Sequence, residues 1–141
     1  MGRNYRKLTQ ELILDRLRSG TVVVDFDRME VLSTIKAETI NGNIEIVQCD
    51  PFPLAFYPSG RNDEYLMMRF RWKGARGSVM VHRLAWLAHY ETVIPEGLYV
   101  DHKDDNTRNW HWSNLQLLTH PENIAKREAR YGSEDTLTTF T

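Results

Sequence analysis

"VDHKDDNTRNWHWSNLQLLTHPEN", residues 100–123, sets Asp101 beside His102, Asn114 beside Leu115 and Glu122 beside Asn123 within one short run. The pattern predicts a strand ("GLYVD"), a long polar loop ("HKDDNTRNWHWS"), a second strand ("NLQLLT") and a helix ("HPENIAKREARY"). Thr119 and Glu122 form a capping-box pair at the start of that helix. Pro121 is tolerated in its first turn, where a missing N–H costs no intrahelical bond. Asn123 therefore falls near the helix N-terminus. A strand-loop-strand-helix unit folds back on itself, so Asp101 and Asn123 can face each other and offer a carboxylate and an amide oxygen.

Oxygen donors suit a hard divalent cation such as magnesium, which keeps several waters and completes its shell with substrate phosphate. His102 is the natural general base, because an imidazole near its ordinary pKa can take a proton from water at neutral pH. Cation and base together predict phosphodiester hydrolysis. Neighbours in a regular strand point to opposite faces, so the strand must end or twist for Asp101 and His102 to serve one site.

Upstream, "YLMMRFRW" alternates cleanly. Leu66, Met68, Phe70 and Trp72 make an apolar face, and Arg69 and Arg71 lie on the other. A turn at "KGARG" leads to a second strand, "SVMVH", and then a short helix, "HRLAWLAHY". The hairpin is expected to expose Arg69, Arg71, Lys73 and Arg76 on one surface. Every charged residue between Tyr65 and Tyr90 is basic, a pattern that fits phosphate contact. Earlier still, "KLTQELILDRLRSG" reads as a helix capped by Thr9 and closed by Gly20. "TVVVDF" reads as a strand, residues 33–49 as a hairpin turning at Asn41-Gly42, and "DPFPLAFYPSG" as a loop.

The 141 residues are 41% hydrophobic and 26% charged, which fits one compact folded domain or one domain with a small appendage. No stretch has the apolar length to cross a bilayer, so no membrane partner is expected. Cys49 is the single cysteine, which excludes an internal disulfide and a multi-thiolate zinc site and fits a reducing cytoplasm. The net charge of -1 argues against coating nucleic acid by bulk charge, and shifts attention to the local basic stripe.

From about Tyr65 to Arg130 the chain resembles the HNH endonucleases, particularly phage-type and homing-type members. The residues that carry the likeness are "VHRLAW" at 81–86, "VDH" at 100–102, "NL" at 114–115 and "EN" at 122–123. The resemblance implies an α+β protein in which an N-terminal helix and antiparallel strands precede a ββα-metal nuclease core. It implies catalytic roles for His102, as base, and for Asn114, whose amide ties the loop and orients His102. Asp101 and Asn123 become the metal ligands. Asn123 stands where the family name has its final His, a change that keeps an oxygen donor and favours magnesium or manganese over zinc. Two departures are visible: Asn109 is followed by Trp110, and Lys126 stands where many relatives carry a further Asn.

The expected organisation is an extension over residues 1–64 that adds to the DNA-facing surface, a core over 65–131 and a short flexible tail over 132–141. Arg69, Arg71, Lys73, Arg76, Arg83, Lys126 and Arg127 are the expected DNA contacts. Double-stranded DNA is the expected partner, in the cytoplasm of a bacterial host of a phage or mobile element. A monomer is expected, with a dimer as the alternative, and a single site per chain predicts nicking. The sequence stops soon after the last helix, without the helix-turn-helix module of some homing members, so a long specific target is not expected. A DNA-binding module that keeps the scaffold without turnover is the competing reading. Trp110 or Trp112 is expected to plug the loop, His111 and His120 to be ordinary loop residues, and His82 has no role assigned.

Overall fold

Thr9 starts the first helix by accepting a hydrogen bond from the Leu12 amide, and Gly20 ends it with φ of 78°. The computed structural model describes residues 6–129. In chain order it has β1 (Arg6–Lys7), α1 (Gln10–Ser19), β2 (Val22–Asp25), β3 (Glu30–Ile40), β4 (Asn43–Pro53) and β5 (Tyr57–Ser59). There follow β6 (Tyr65–Trp72), β7 (Ala75–Met80), α2 (Val81–Tyr90), β8 (Leu98–His102), β9 (Leu115–Thr119) and a helix over 120–129, α3. The expected tail over 132–141 lies outside the described residues.

The strands form three sheets, in the orders β1-β7-β6-β5, β2-β3-β4 and β8-β9. The last pair with α3 is the expected ββα unit, and the whole is the α+β architecture read from the sequence. Two hairpins turn on positive-φ pairs, Asn41-Gly42 (50° and 80°) and Lys73-Gly74 (48° and 78°), the backbone that suits a two-residue turn between twisted strands. The second turn is therefore shorter than "KGARG", and β7 starts at Ala75. Val81, expected in that strand, instead opens α2, followed by His82, which the "HRLAWLAHY" helix already included. That helix has Val81, His82, Leu84, Ala85, Trp86 and Leu87 buried, six of seven consecutive positions, so its first two turns are enclosed on nearly every side rather than along one face.

The proline-rich stretch read as a loop is largely extended. β4 runs through Pro53, and Pro58 lies in β5. Both strands are sheet edges, and the register of β4 shifts between Ser33 and Ile35 of its neighbour, so the prolines interrupt no central ladder. β1 is a second departure. Its two residues pair in parallel with Ala75 and Arg76 of β7, a contact between distant segments that carries no local signal.

A single apolar cluster joins the sheets, from Ile13 and Leu14 of α1 through Val22, Val31, Met68 and Phe70 to Val100, Trp110 and Leu115. Arg16 is buried among these groups at 6% exposure. Its guanidinium donates to the Arg71 and Thr21 carbonyls and to Ser33 Oγ, at 3.1, 3.4 and 3.0 Å, and its carbon lies 5.2 Å from the centre of the Phe70 ring. Helix α1, β6 and β3 thus share one cation. Burying this charge is tolerated because its two terminal nitrogens reach three oxygen acceptors, although Nε has no partner among the described residues, and removing it takes one donor from each of those acceptors. Arg16→Met is expected to lower stability by about 3 kcal/mol. In urea unfolding this appears as a lower midpoint with an unchanged slope.

Candidate active site

The site is assembled at the end of β8. His102 pairs with Leu115 and Asp101 with Gln116 across the β8-β9 ladder, so the strand runs one residue further than "GLYVD" indicates. Past His102 the chain turns sharply, the Asp105 amide donating to the His102 carbonyl at 3.0 Å. Asn114 closes the loop that follows. Its Nδ2 donates to Asp104 Oδ1 at 2.8 Å and to the Asn109 carbonyl at 2.9 Å, while its Oδ1 accepts from the Asp104 amide at 3.2 Å. Its carbonyl accepts from the Lys103 amide at 2.7 Å. Asn114 ends a short 3-10 turn over Trp112–Asn114 rather than opening β9, and this non-extended backbone turns its side chain back into the loop.

His102 is 4% exposed, and its Nε2 has no hydrogen-bond partner among the described residues. Its ring lies 4.6 Å from that of His82 and 6.4 Å, stacked, from that of Tyr65. Burial lowers the His102 pKa, and the neighbouring carboxylates of Asp101 and Asp104 oppose the shift. The imidazole is therefore neutral at pH 7, and its Nε2 is both buried and without a partner among the described residues. His82, also buried, is pushed down to about 3 by burial and then by His102 and Arg83. His82 and Tyr65 form the wall behind His102. The sequence offered no signal for this, since Tyr65 opens a strand far upstream and His82 reads as one more residue of an apolar helix.

A cavity of about 70 Å³ is lined by Asp101, His102 and Asn123, with Glu64, Tyr65, Asp105, Thr107, Lys126 and Arg127. Asp101 and His102 have different neighbours, yet both reach this cavity because the strand ends there. Asp101 Oδ2 accepts from Gln116 Nε2 at 2.8 Å and from Lys126 Nζ at 2.5 Å. The ammonium also donates to the His102 carbonyl at 2.8 Å and pairs with Asp105 Oδ1 at 3.0 Å. Burial alone would lower the Lys126 pKa, but Asp101 and Asp105 raise it above the ordinary lysine value. Helix α3 supplies Asn123 and Lys126 from one face, held by the capping box in which Glu122 accepts from the Thr119 amide and hydroxyl.

Among the described residues no three His, Cys, Asp or Glu side chains converge on a point where they could hold an ion. A divalent cation here would draw two protein oxygens, from Asp101 and Asn123, and complete its shell with water and phosphate. The donor chemistry fits such an ion, since the oxygens of Asp101, Asp105 and His102 already gather round one positive charge.

The expected DNA contacts fall into separate groups. Lys126 and Arg127 line the active-site cavity, Lys126 committed to the acids. Arg69, Arg71, Lys73 and Arg76 line a different groove, together with Lys36 and Arg16. Lys73 is not simply displayed to solvent, for it pairs with Asp15 at 2.8 Å. Arg83 is half-buried on α2. Trp110 is the loop plug, 2% exposed and edge-on to Phe56, whereas Trp112 stacks on His89 at 3.9 Å. His111 caps the 3-10 turn through Nδ1, and His120 lies against Tyr99.

The sequence model of the HNH endonuclease family matches residues 79–125, a span that holds α2, β8, the loop, β9 and the first half of α3. Among solved structures, the chain is similar to the HNH homing endonuclease I-HmuI, reported for its DNA binding and cleavage. Identity is 25% and the TM-score 0.54, over 85% of this chain and 61% of that one. The chain thus spans about three-fifths of that protein's length. A search of curated proteins finds no match.

The buried His82 has a consequence for stability. Its folded pKa lies below the unfolded value of 6.5, so only the unfolded chain takes up the proton as pH falls between these values. Stability is full above pH 6.5 and declines below it, by on the order of 2 kcal/mol by pH 5. Urea unfolding across this range is expected to show the decline, with a shallower slope in His82→Phe. An equal slope in the variant would place the titration elsewhere.

Proposed function

We propose that the protein is a divalent-metal-dependent DNA endonuclease of the HNH type, hydrolysing phosphodiester bonds of duplex DNA. One observation carries the reading: a buried, neutral imidazole with an unpartnered Nε2 lines the same cavity as a carboxylate and an amide on facing elements. A binding scaffold would have no use for that nitrogen, because burying it without a partner costs free energy.

In this reading His102 takes a proton from water as the water oxygen attacks phosphorus. The bond from phosphorus to the leaving sugar oxygen breaks, and that oxygen gains a proton from solvent. Asn114 acts at one remove, by holding the loop that fixes the His102 backbone. Asp101 and Asn123 would hold the cation, with magnesium first and manganese second for an all-oxygen set. When bound, the ion supplies charge stabilisation at the phosphate and the leaving oxygen.

The basic groove fits the same substrate. Tyr65, at the active-site end of β6, and Arg71 are six residues apart on one strand, about 20 Å at strand rise. That distance corresponds to about six base pairs of duplex. Arg69, Arg71 and Arg76 would hold phosphates there while the cavity works on another, with Arg83 and Arg127 nearer the site. The extension over 1–64 and the core over 65–131 then share one DNA-facing surface. One such site in a monomer nicks; a dimer or two sequential events would cut both strands. The likeness to a homing endonuclease supports a phage or mobile-element origin and action in a bacterial cytoplasm.

Supercoiled plasmid incubated with magnesium, with manganese and with EDTA tests the reading. Relaxation is expected with either metal and not with EDTA. His102→Ala is expected to lower the rate by about 10² to 10⁴ while gel-shift affinity stays near the parental value. Cleavage by this variant at the parental rate would falsify the assignment of His102 as base.

A further inference from the structure

Lys126 has three oxygen partners, Asp101 Oδ2, Asp105 Oδ1 and the His102 carbonyl, which accounts for all the donors an ammonium has. Its side chain is 25% exposed, so the arrangement is partly withdrawn from water. It comes from α3 one turn beyond Asn123, and the family match stops at residue 125, just before it. The same Asp101 carboxylate is the one assigned to the divalent ion. An ammonium and a divalent cation on one carboxylate repel each other at contact distance in a partly desolvated site.

We propose that Lys126 is a displaceable internal cation, which holds Asp101 and Asp105 in the resting protein and gives up Asp101 to a divalent ion as its ammonium moves to a DNA phosphate. This rests on the metal-site reading of Asp101 and Asn123 given above. The lysine stem is four flexible carbons, long enough to carry the charge from the acids to the cavity mouth beside Arg127. Its departure leaves two carboxylates facing a space that then favours a doubly charged ion. Metal binding and DNA binding thereby assist each other, each removing a competitor of the other.

The experiment has two readouts, neither of which is turnover. In the first, manganese binding without DNA is followed by loss of the free-ion paramagnetic resonance signal. Lys126→Met is expected to bind manganese about tenfold or more tightly than the parent. Equal or weaker binding overturns the proposal. Lys126→Gln, which keeps a polar group beside the acids, serves if the Met variant does not fold. Adding Asp101→Asn to either is expected to abolish the gain, and a gain that survives it overturns the proposal.

In the second, duplex affinity is measured in the cleavage-deficient His102→Ala protein, with magnesium and with EDTA. Lys126→Met is expected to cost about tenfold with magnesium and less than twofold with EDTA, where the ammonium stays on the acids. An equal loss in both conditions makes Lys126 a constant phosphate contact and overturns the proposal. Failure of the parent to relax plasmid, with both metal-dependent effects intact, would remove the nuclease reading and leave this one standing.

Discussion

The side-chain amide of Asn114 is the constraint on which the site depends. It donates to Asp104 and Asn109 and accepts from the Asp104 backbone, so one residue fastens the loop after β8 at both ends. Each bond is worth about 1 kcal/mol, but together they convert a polar run of the chain into a rigid clasp. Trp110 can then be carried inward to lie among Phe26 and Phe56. The sharp turn after His102 holds its shape for the same reason. Because that turn also presents the His102 carbonyl to Lys126, the clasp reaches as far as α3.

Behind this clasp, the protein accepts an unfavourable arrangement. Two imidazoles and a phenol are packed together at the base of the cavity, one of them with a nitrogen that no described residue satisfies. Desolvation keeps both histidines neutral, which is what a proton acceptor at neutral pH requires. The apolar core on the far side, centred on Phe70, Met68 and Leu84, supplies the stability that permits this. Local consistency between sequence and fold fails at this cavity, the pattern expected where a site has been placed at the expense of stability.

Much of this was legible in the chain because it is locally encoded. The alternation in "YLMMRFRW", the caps at Thr9 and Thr119 and the Asn41-Gly42 turn each state their conformation through near neighbours. Asp101, His102 and Asn123 could be placed together because a ββα unit leaves the ends of its elements little choice. What escaped the reading depends on distant partners. The two-residue β1 exists only because β7 is beside it, and prolines became strand residues only because β4 and β5 are edges. Nothing next to Lys126 indicates that its charge is spent on Asp101 and Asp105, since both acids come from the other side of the loop. Likewise Lys73 reads as a solvated turn residue until Asp15 of α1 is found beside it.

The prolines of the two edge strands bear on how the molecule behaves in a crowd. A free strand edge is a template for another copy of the chain, and an open sheet invites edge-to-edge aggregation. Pro51 and Pro53 on β4 and Pro58 on β5 carry no amide hydrogen to offer an incoming strand. The outer half of β4 lacks them and displays Ile44 and Ile46, with Glu45 between as the charged deterrent. Along the β4 edge, this hairpin tip is therefore the part most open to an incoming strand. The prolines thus give these two edges a limited protection against strand addition.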